Sequence, residues 1–217
     1  NTPFGTPTAT PLPVKIRLQR SSTGYPLVWD AWIDEGNPDA NCGLDPCRAF
    51  KIKPGLPSKR GVIKFELPSY LLSGATITKA RLGLHPFIRF GVPGNFTVTG
   101  YRLNRAWEED QVTWNRATSA AGGYWDVPGT GGGDRSGTPA GSMIIGDTMN
   151  QWYEMDITTL VQEWANGVPN FGLIFMGSGP TSEIQISTSE EPNTNYRPYL
   201  DIWYTLGAPT STPTATP

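Results

Sequence analysis

Thr76-Ile77-Thr78-Lys79-Ala80-Arg81-Leu82-Gly83-Leu84-His85-Pro86-Phe87-Ile88-Arg89-Phe90 is the stretch that decides the fold. Ala80, Leu82 and Leu84 alternate with Arg81 and Gly83, the period of two that marks a strand with one face buried, and Ile77 and Phe87 extend the apolar run on either side. The run is too long for one ordinary strand, and Pro86 cannot donate to a ladder. The reading is therefore two strands that meet at a bend at His85-Pro86 and feed two different sheets.

Working outward, the same signal recurs on both sides. Val14, Ile16 and Leu18 alternate with Lys15, Arg17 and Gln19, and residues 27–33, 48–53, 61–67 and 95–103 read as further strands. Residues 171–176, 183–187 and 197–204 bring the total to roughly nine to eleven, which suits two packed antiparallel sheets. Residues 124–146, dense in glycine around Gly131-Gly132-Gly133-Asp134, read as a surface excursion. They lack the Lys-Ser/Thr pair and the strand-to-helix setting of a phosphate loop.

One helix interrupts the strands, at about residues 158–166. Asp156, Thr158 or Thr159 can cap it, and Thr159 with Gln162 matches a capping box. Leu160, Val161 and Trp164 give it one apolar face, and Asn166-Gly167 stops it. The fold class expected is all-β, a jelly-roll-like antiparallel β-sandwich with that one short helix.

The chain has 217 residues, with 25 Gly and 21 Pro but only 17% charged residues, which describes many short strands joined by turns. A net charge of −2 offers no footprint for a nucleic-acid backbone, so nucleic acid is not an expected partner. No run of 18 apolar residues exists, and no membrane span is expected. Cys42 and Cys47 sit in Asn41-Cys42-Gly43-Leu44-Asp45-Pro46-Cys47, a loop able to bend the sulfurs together, and are read as a local disulfide in an oxidising compartment. With a single histidine, His85, a structural zinc site is not expected.

The two ends share a composition. Residues 1–13 and 207–217 are Thr/Pro-rich, and Thr-Pro-Thr-Ala-Thr-Pro occurs at 6–11 and again at 212–217. The domain reading is a Thr/Pro linker or docking tail over 1–13, a β-sandwich over 14–206 and a second Thr/Pro linker over 207–217. The recurrence reads as one unit of a periodic array, or of subunits joined end to end. Thr and Ser beside Pro is the composition of O-glycosylated stalks, with candidates Thr2, Thr6, Thr8, Thr10, Thr210, Ser211, Thr212, Thr214 and Thr216. Phe4 and Leu12 are the large apolar residues of the first tail and the candidate assembly anchors. Asn95-Phe96-Thr97 is the one N-glycosylation sequon, placing that modification at Asn95.

Taken together, Val62-Ile63-Lys64-Phe65-Glu66-Leu67-Pro68, Gly74 through Leu82, Trp107-Glu108-Glu109-Asp110-Gln111-Val112-Thr113-Trp114-Asn115, Asp156-Ile157-Thr158 with Val161-Gln162-Glu163-Trp164, Asn170-Phe171-Gly172-Leu173, Ser187-Thr188-Ser189-Glu190 and Arg197-Pro198-Tyr199-Leu200 carry a resemblance. Over residues 27–205 the chain resembles the DNRLRE family of secreted jelly-roll-like β-sandwich domains, which are related to carbohydrate-binding modules. The resemblance implies a non-enzymatic module of a large secreted or surface protein. Where that pattern has Asn-Tyr-Gly, this chain has Asn41-Cys42-Gly43, which puts a ligand site on that loop in question.

For chemistry, Glu108, Glu109 and Asp110 are adjacent carboxylates whose side chains diverge in a turn, so they are not read as an acid and base pair. Trp107 and Trp114 beside them read as core anchors. No catalytic residues are assigned, and the protein is not expected to be an enzyme. Aromatic side chains offer flat faces to sugar rings, with Tyr25, Trp29, Trp32, Tyr124 and Trp125 as candidate platforms. Asp30, Asp34 and Asp39, near Glu35 and Asn37, are candidate calcium ligands because that ion takes hard oxygen donors; otherwise no cofactor is expected. The functional expectation is an extracellular structural module that self-assembles into a glycosylated surface filament, its partners being copies of itself, covalent glycans and a polysaccharide. The alternative is a carbohydrate-binding module of a larger secreted polysaccharide-active protein.

Overall fold

The computed structural model describes residues 12–21, 27–44 and 49–206. Phe4, Tyr25, Cys47 and the tail Thr and Ser candidates lie outside those residues. Twelve strands and one α-helix are present among them: β1 Val14–Gln19, β2 Val28–Asp34, β3 Ala49–Ile52, β4 Lys59–Phe65, β5 Thr76–Leu84, β6 Pro86–Gly91, β7 Phe96–Leu103, β8 Arg135–Ile145, β9 Tyr153–Asp156, α1 Thr158–Ala165, β10 Leu173–Ser178, β11 Ser182–Ser187 and β12 Tyr199–Thr205.

All pairings of these strands are antiparallel, in three sheets ordered β1-β12-β5-β9, β2-β4-β10-β7-β8 and β3-β11-β6. The expected bend at His85-Pro86 is there, with β5 in the four-stranded sheet and β6 in the three-stranded one. Two sheets were expected and three are found, because the layer that faces the five-stranded sheet is broken in two at this bend. Phe50 of β3 stacks on Phe175 of β10, with ring centroids 5.9 Å apart, and Met155 of β9 packs over Gly100 of β7. Both smaller sheets therefore cover the same face of the large one. The main core lies between them, with Phe65, Leu82, Phe96, Trp164 and Leu200 buried in it.

A glycine sets the spacing of the layers at one point. A Cβ on Gly61 would lie 2.3 Å from the Phe50 ring, so β4 tolerates no side chain where β3 crosses it. Helix α1 plugs one end, burying Leu160, Val161, Trp164 and Ala165, and Gly167 at φ +93° turns the chain out of it.

Three local expectations are corrected. The capping box does not form: the residue before α1 is Ile157, and Asp156 Oδ1 accepts from the Thr158 amide at 3.0 Å. Gln162 is used across the fold instead, accepting from the Ile77 amide at 2.7 Å and donating to the Ala75 carbonyl at 3.2 Å. An interstrand partner holds that side chain, where a local cap would have left it solvated.

The second correction is β8, which runs through the expected excursion. Its Ser, Thr, Gly and Pro carry no apolar period, and only Met143 and Ile145 are buried. Pairing with β7 makes it a strand; composition hides it. β9 was missed for its shortness.

The third concerns residues 124–134, the rest of the expected surface excursion, which form one layer with residues 104–123. They lie over the outer face of the five-stranded sheet, where Trp107, Val112, Trp114, Ala117 and Trp125 form a second core with Ala31, Ile33, Val62, Leu103 and Ile174. Trp107 and Trp114 are the anchors expected, and Trp125 joins them.

Candidate functional site

A cleft opens at one end of the second core, beside Trp29 of the edge strand β2. Trp29 of β2 and Lys64 of β4 are cross-strand partners, and the Lys64 Nζ sits 4.8 Å from the Trp29 ring. Ala106, Trp107, Glu108 and Glu109 form a second wall, and Asn170 with Phe171 closes the third; the cavity is about 230 Å³. That volume is below the range usual for ligand sites, and it limits an occupant to about one small ring. Asn170 is consumed by the fold, donating to the Phe65 carbonyl at 2.8 Å and accepting from the Gly172 amide at 3.0 Å. Trp107 Nε1 donates to the Phe171 carbonyl at 2.8 Å. Glu109 is half engaged: its Oε1 accepts from the Asp30 amide at 2.9 Å. It thereby caps an edge strand that would otherwise present a free donor.

Behind Glu109 lies a carboxyl group that the sheet has buried. Asp30 is 1% exposed, its Oδ2 accepts from the Ser189 amide at 2.6 Å, and its Oδ1 has no partner among the described residues. Burial, then the nearby Glu190 charge, push its carboxyl well above the ordinary value, against the Ser189 amide. Burial likewise pushes Glu109 up to about 7, with Glu190 adding to the rise and the Asp30 amide opposing it. The Arg20 charge opposes the rise at Glu109, and Arg20 is itself bonded to Glu190 and to the Ser189 hydroxyl. The nearby Glu109 charge adds a smaller rise to Asp30.

A second constellation covers the outer face of the four-stranded sheet, and its register decides it. Arg17, Asp201, Arg81 and Asp156 stand in one row across β1, β12, β5 and β9, and Lys15, Trp203 and Lys79 stand in the next. Asp201 is 2% exposed and receives Arg17 Nε at 2.6 Å, Arg17 Nη2 at 2.7 Å and Lys15 Nζ at 2.8 Å. Burial alone would raise its pKa, but the bonds from Arg17 and Lys15 outweigh it and hold the carboxylate below its ordinary value. Lys15 and Lys79 flank the Trp203 ring at 4.7 and 4.8 Å, and the Arg17 guanidinium lies 3.7 Å from the Tyr199 ring centre. Tyr199 donates to Glu154 Oε1 at 2.7 Å. Both outward cations of β1 are thus fastened to β12.

The structure distributes the remaining candidates. Trp29 lines the cleft and Tyr124 is 51% exposed, with Arg116 bonded to its hydroxyl and over its ring. Trp32 and Trp125 are buried, and Trp125 Nε1 donates to the Thr113 carbonyl at 2.9 Å, so neither presents a face to solvent. Asp30, Asp34 and Asp39 do not converge: Asp34 is spent on the Gly36 amide and the Asn37 side chain, and Asp39 accepts from Asn115. Among the described residues no three His, Cys, Asp or Glu side chains are grouped to hold a metal. Cys42 is disulfide-bonded. Asn95 is exposed just before β7, and Leu12 is 87% exposed. His85 is buried between Tyr196, whose ring stacks at 4.4 Å, and Trp152 at 5.3 Å.

Sequence reading named Trp29 but missed the cleft around it, and missed both carboxyl centres. Asp30, Glu109 and Glu190 are far apart in the chain, as are Arg17 and Asp201, so only strand register joins them. The alternation of Lys15 and Arg17 with apolar residues was the one signal available for the second, because it places both on an outer face.

No helix among the described residues is long and apolar enough to cross a membrane. No curated protein matches the chain. A family model does match, that of the disaggregatase related repeat domain, over residues 48–202, which takes in every strand from β3 to β11, the helix and most of β12. The match does not carry the narrower DNRLRE assignment. With well over half its length matched, the chain belongs to the disaggregatase related repeat family.

Proposed function

We propose that this protein is a non-catalytic structural repeat of an extracellular filament, joined to neighbouring copies through its Thr/Pro segments. Membership of a repeat family supports the modular aspect of this reading. The observation that carries the rest is where the sandwich meets its linkers. Val14 at the start of β1 lies opposite Tyr204 near the end of β12, so the two junctions emerge side by side at one end of one sheet. A module attached in this way hangs beside the line of its linkers, and the spacing of an array is then set by the Thr/Pro segments. The tail Thr and Ser residues would carry O-linked sugars that stiffen those segments, Asn95 would carry an N-linked one, and Phe4 and Leu12 would dock on a neighbour. The disulfide on Cys42 suits an oxidising, extracellular setting, with Cys47 the other cysteine in the sequence.

Intact mass with glycopeptide mapping of natively isolated material tests this. Modified Thr within both tails and masses above a single chain support it; unmodified single chains count against it.

The second reading, a carbohydrate-binding module, is favoured by the Trp29 cleft, which sets an aromatic wall beside Glu109 and Lys64. Binding on a glycan array by the module without its tails, lost in W29A, would favour it.

A further inference from the structure

The clasp on β1 is placed where tension through the linkers would act, and we infer that β1 is a strand released under load, latched by Asp201 and stopped at Arg20. The inference rests on the reading that neighbouring copies pull on this chain through its two ends.

β1 is an edge strand, paired with β12 alone and burying Leu18 fully and Ile16 in part. Its first residue faces Tyr204 and its last faces Tyr199. Pulling the two junctions apart therefore loads the Val14–Tyr204 end of the ladder crosswise, and the hydrogen bonds of β1 break in succession from that end. Strands pulled crosswise in this way share no load between rungs.

Two features govern how far that opening runs. Near the pulled end, Asp201 holds Lys15 and Arg17, and Trp203 and Tyr199 lie against the same two cations, so the first rungs carry charge-assisted bonds as well as the ladder. At the far end, Gln19 Nε2 donates to the Arg197 carbonyl at 2.7 Å, Arg197 Nη1 donates to the Arg20 carbonyl at 3.1 Å, and Arg20 is bonded to Glu190 and Ser189. Gln19 closes the β1–β12 ladder, while Arg197, Arg20, Glu190 and Ser189 lie outside it and remain bonded when it opens.

Opening β1 frees its six residues, roughly 20 Å of extended chain. It also changes the direction of load. The chain is then held at Arg20, beside Tyr199, and pulled at Thr205, so force runs along β12, which stays paired with β5 over its whole length. All of its rungs now share the load. The module yields once by a short distance and then resists.

Single-molecule pulling of the full chain by its two ends tests this. The expected trace has a first step of roughly 35 Å at low force, about 20 Å from the freed β1 and the rest from the length of β12 that turns into the line of pull, then a separate, stronger event for the body. D201N removes the latch charge while keeping a similar shape; at constant load it should speed the first step by roughly tenfold and leave the second unchanged. R17Q, at a half-exposed edge position, should act in the same direction and guards against a folding defect in D201N. R20A removes the bonds to Glu190 and Ser189 and should lengthen the first step, because the stop is weakened. A single event releasing the whole chain, or a first step unmoved by D201N and R17Q, overturns the inference. Because the measurement uses one chain, separate monomers in native material would defeat the filament reading while leaving this result standing.

Discussion

Replacing Glu109 with glutamine probes the half-buried carboxyl group at the β2 edge. Glutamine keeps an acceptor for the Asp30 amide and removes the charge. The carboxyl is raised from 4.5 to about 7 in the folded protein, so the folded form holds a proton that the unfolded chain releases. Its contribution is therefore complete below about pH 4.5 and is lost as pH rises through about 7. At about 1.36 kcal/mol per pH unit the ceiling is roughly 3 kcal/mol; solvent reaches this group, which reduces it to about 1–2 kcal/mol. For a chain of this size that is a fall of about 3–6 °C in Tm between pH 4.5 and pH 8. Asp30 is shifted in the same direction and adds to the fall, in part because Glu109 is beside it. Thermal unfolding followed by near-ultraviolet circular dichroism across that range should show E109Q with a much flatter profile, nearly equal to the parent at pH 4.5 and more stable at pH 8. Equal slopes for both proteins would refute the reasoning, and so would a stabilisation confined to acid.

Other sites give independent outcomes. Asp201, Glu183 and Asp156 are held below their ordinary values by cationic or hydroxyl partners, so their stabilisation is present above about pH 4 and is lost as they protonate; D201N should therefore flatten the acid limb below pH 4, read by the same melts. G61A places a methyl against the Phe50 ring and should cost about 1–3 kcal/mol by overpacking, measured by urea unfolding. W164A empties the 1%-exposed seat of the helix plug and should cost about 3–5 kcal/mol in the same assay. W29A, at the cleft, removes a ring packed against the second core and should cost about 1–3 kcal/mol in the same unfolding assay, while abolishing any saccharide retention by the folded protein in affinity electrophoresis.

The strands that could be read in advance are those whose alternation is local. Ile77, Ala80, Leu82 and Leu84 announced β5, Pro86 announced the bend, and Leu160, Val161 and Trp164 with Gly167 announced the helix. β8 carried no such pattern, since an edge strand with one buried end can be written in Ser, Thr, Gly and Pro. Trp125 looked free to face solvent because a glycine-rich run surrounds it; the run instead folds back over the sheet and buries it. Gln162 matched a cap within its own helix and was claimed by Ile77, a partner no local pattern reveals. Functional legibility failed for the same reason: the Asp201 latch and the Asp30–Glu109 pair exist only once distant strands are in register.

In the function proposed above, copies of this sandwich form a linear material strung on Thr/Pro segments. Electron microscopy of material isolated in its native state, without added denaturant or reductant, tests that most directly. Regularly spaced globules hanging to one side of a continuous thread are the predicted image. Dispersed single globules with no thread between them would contradict it.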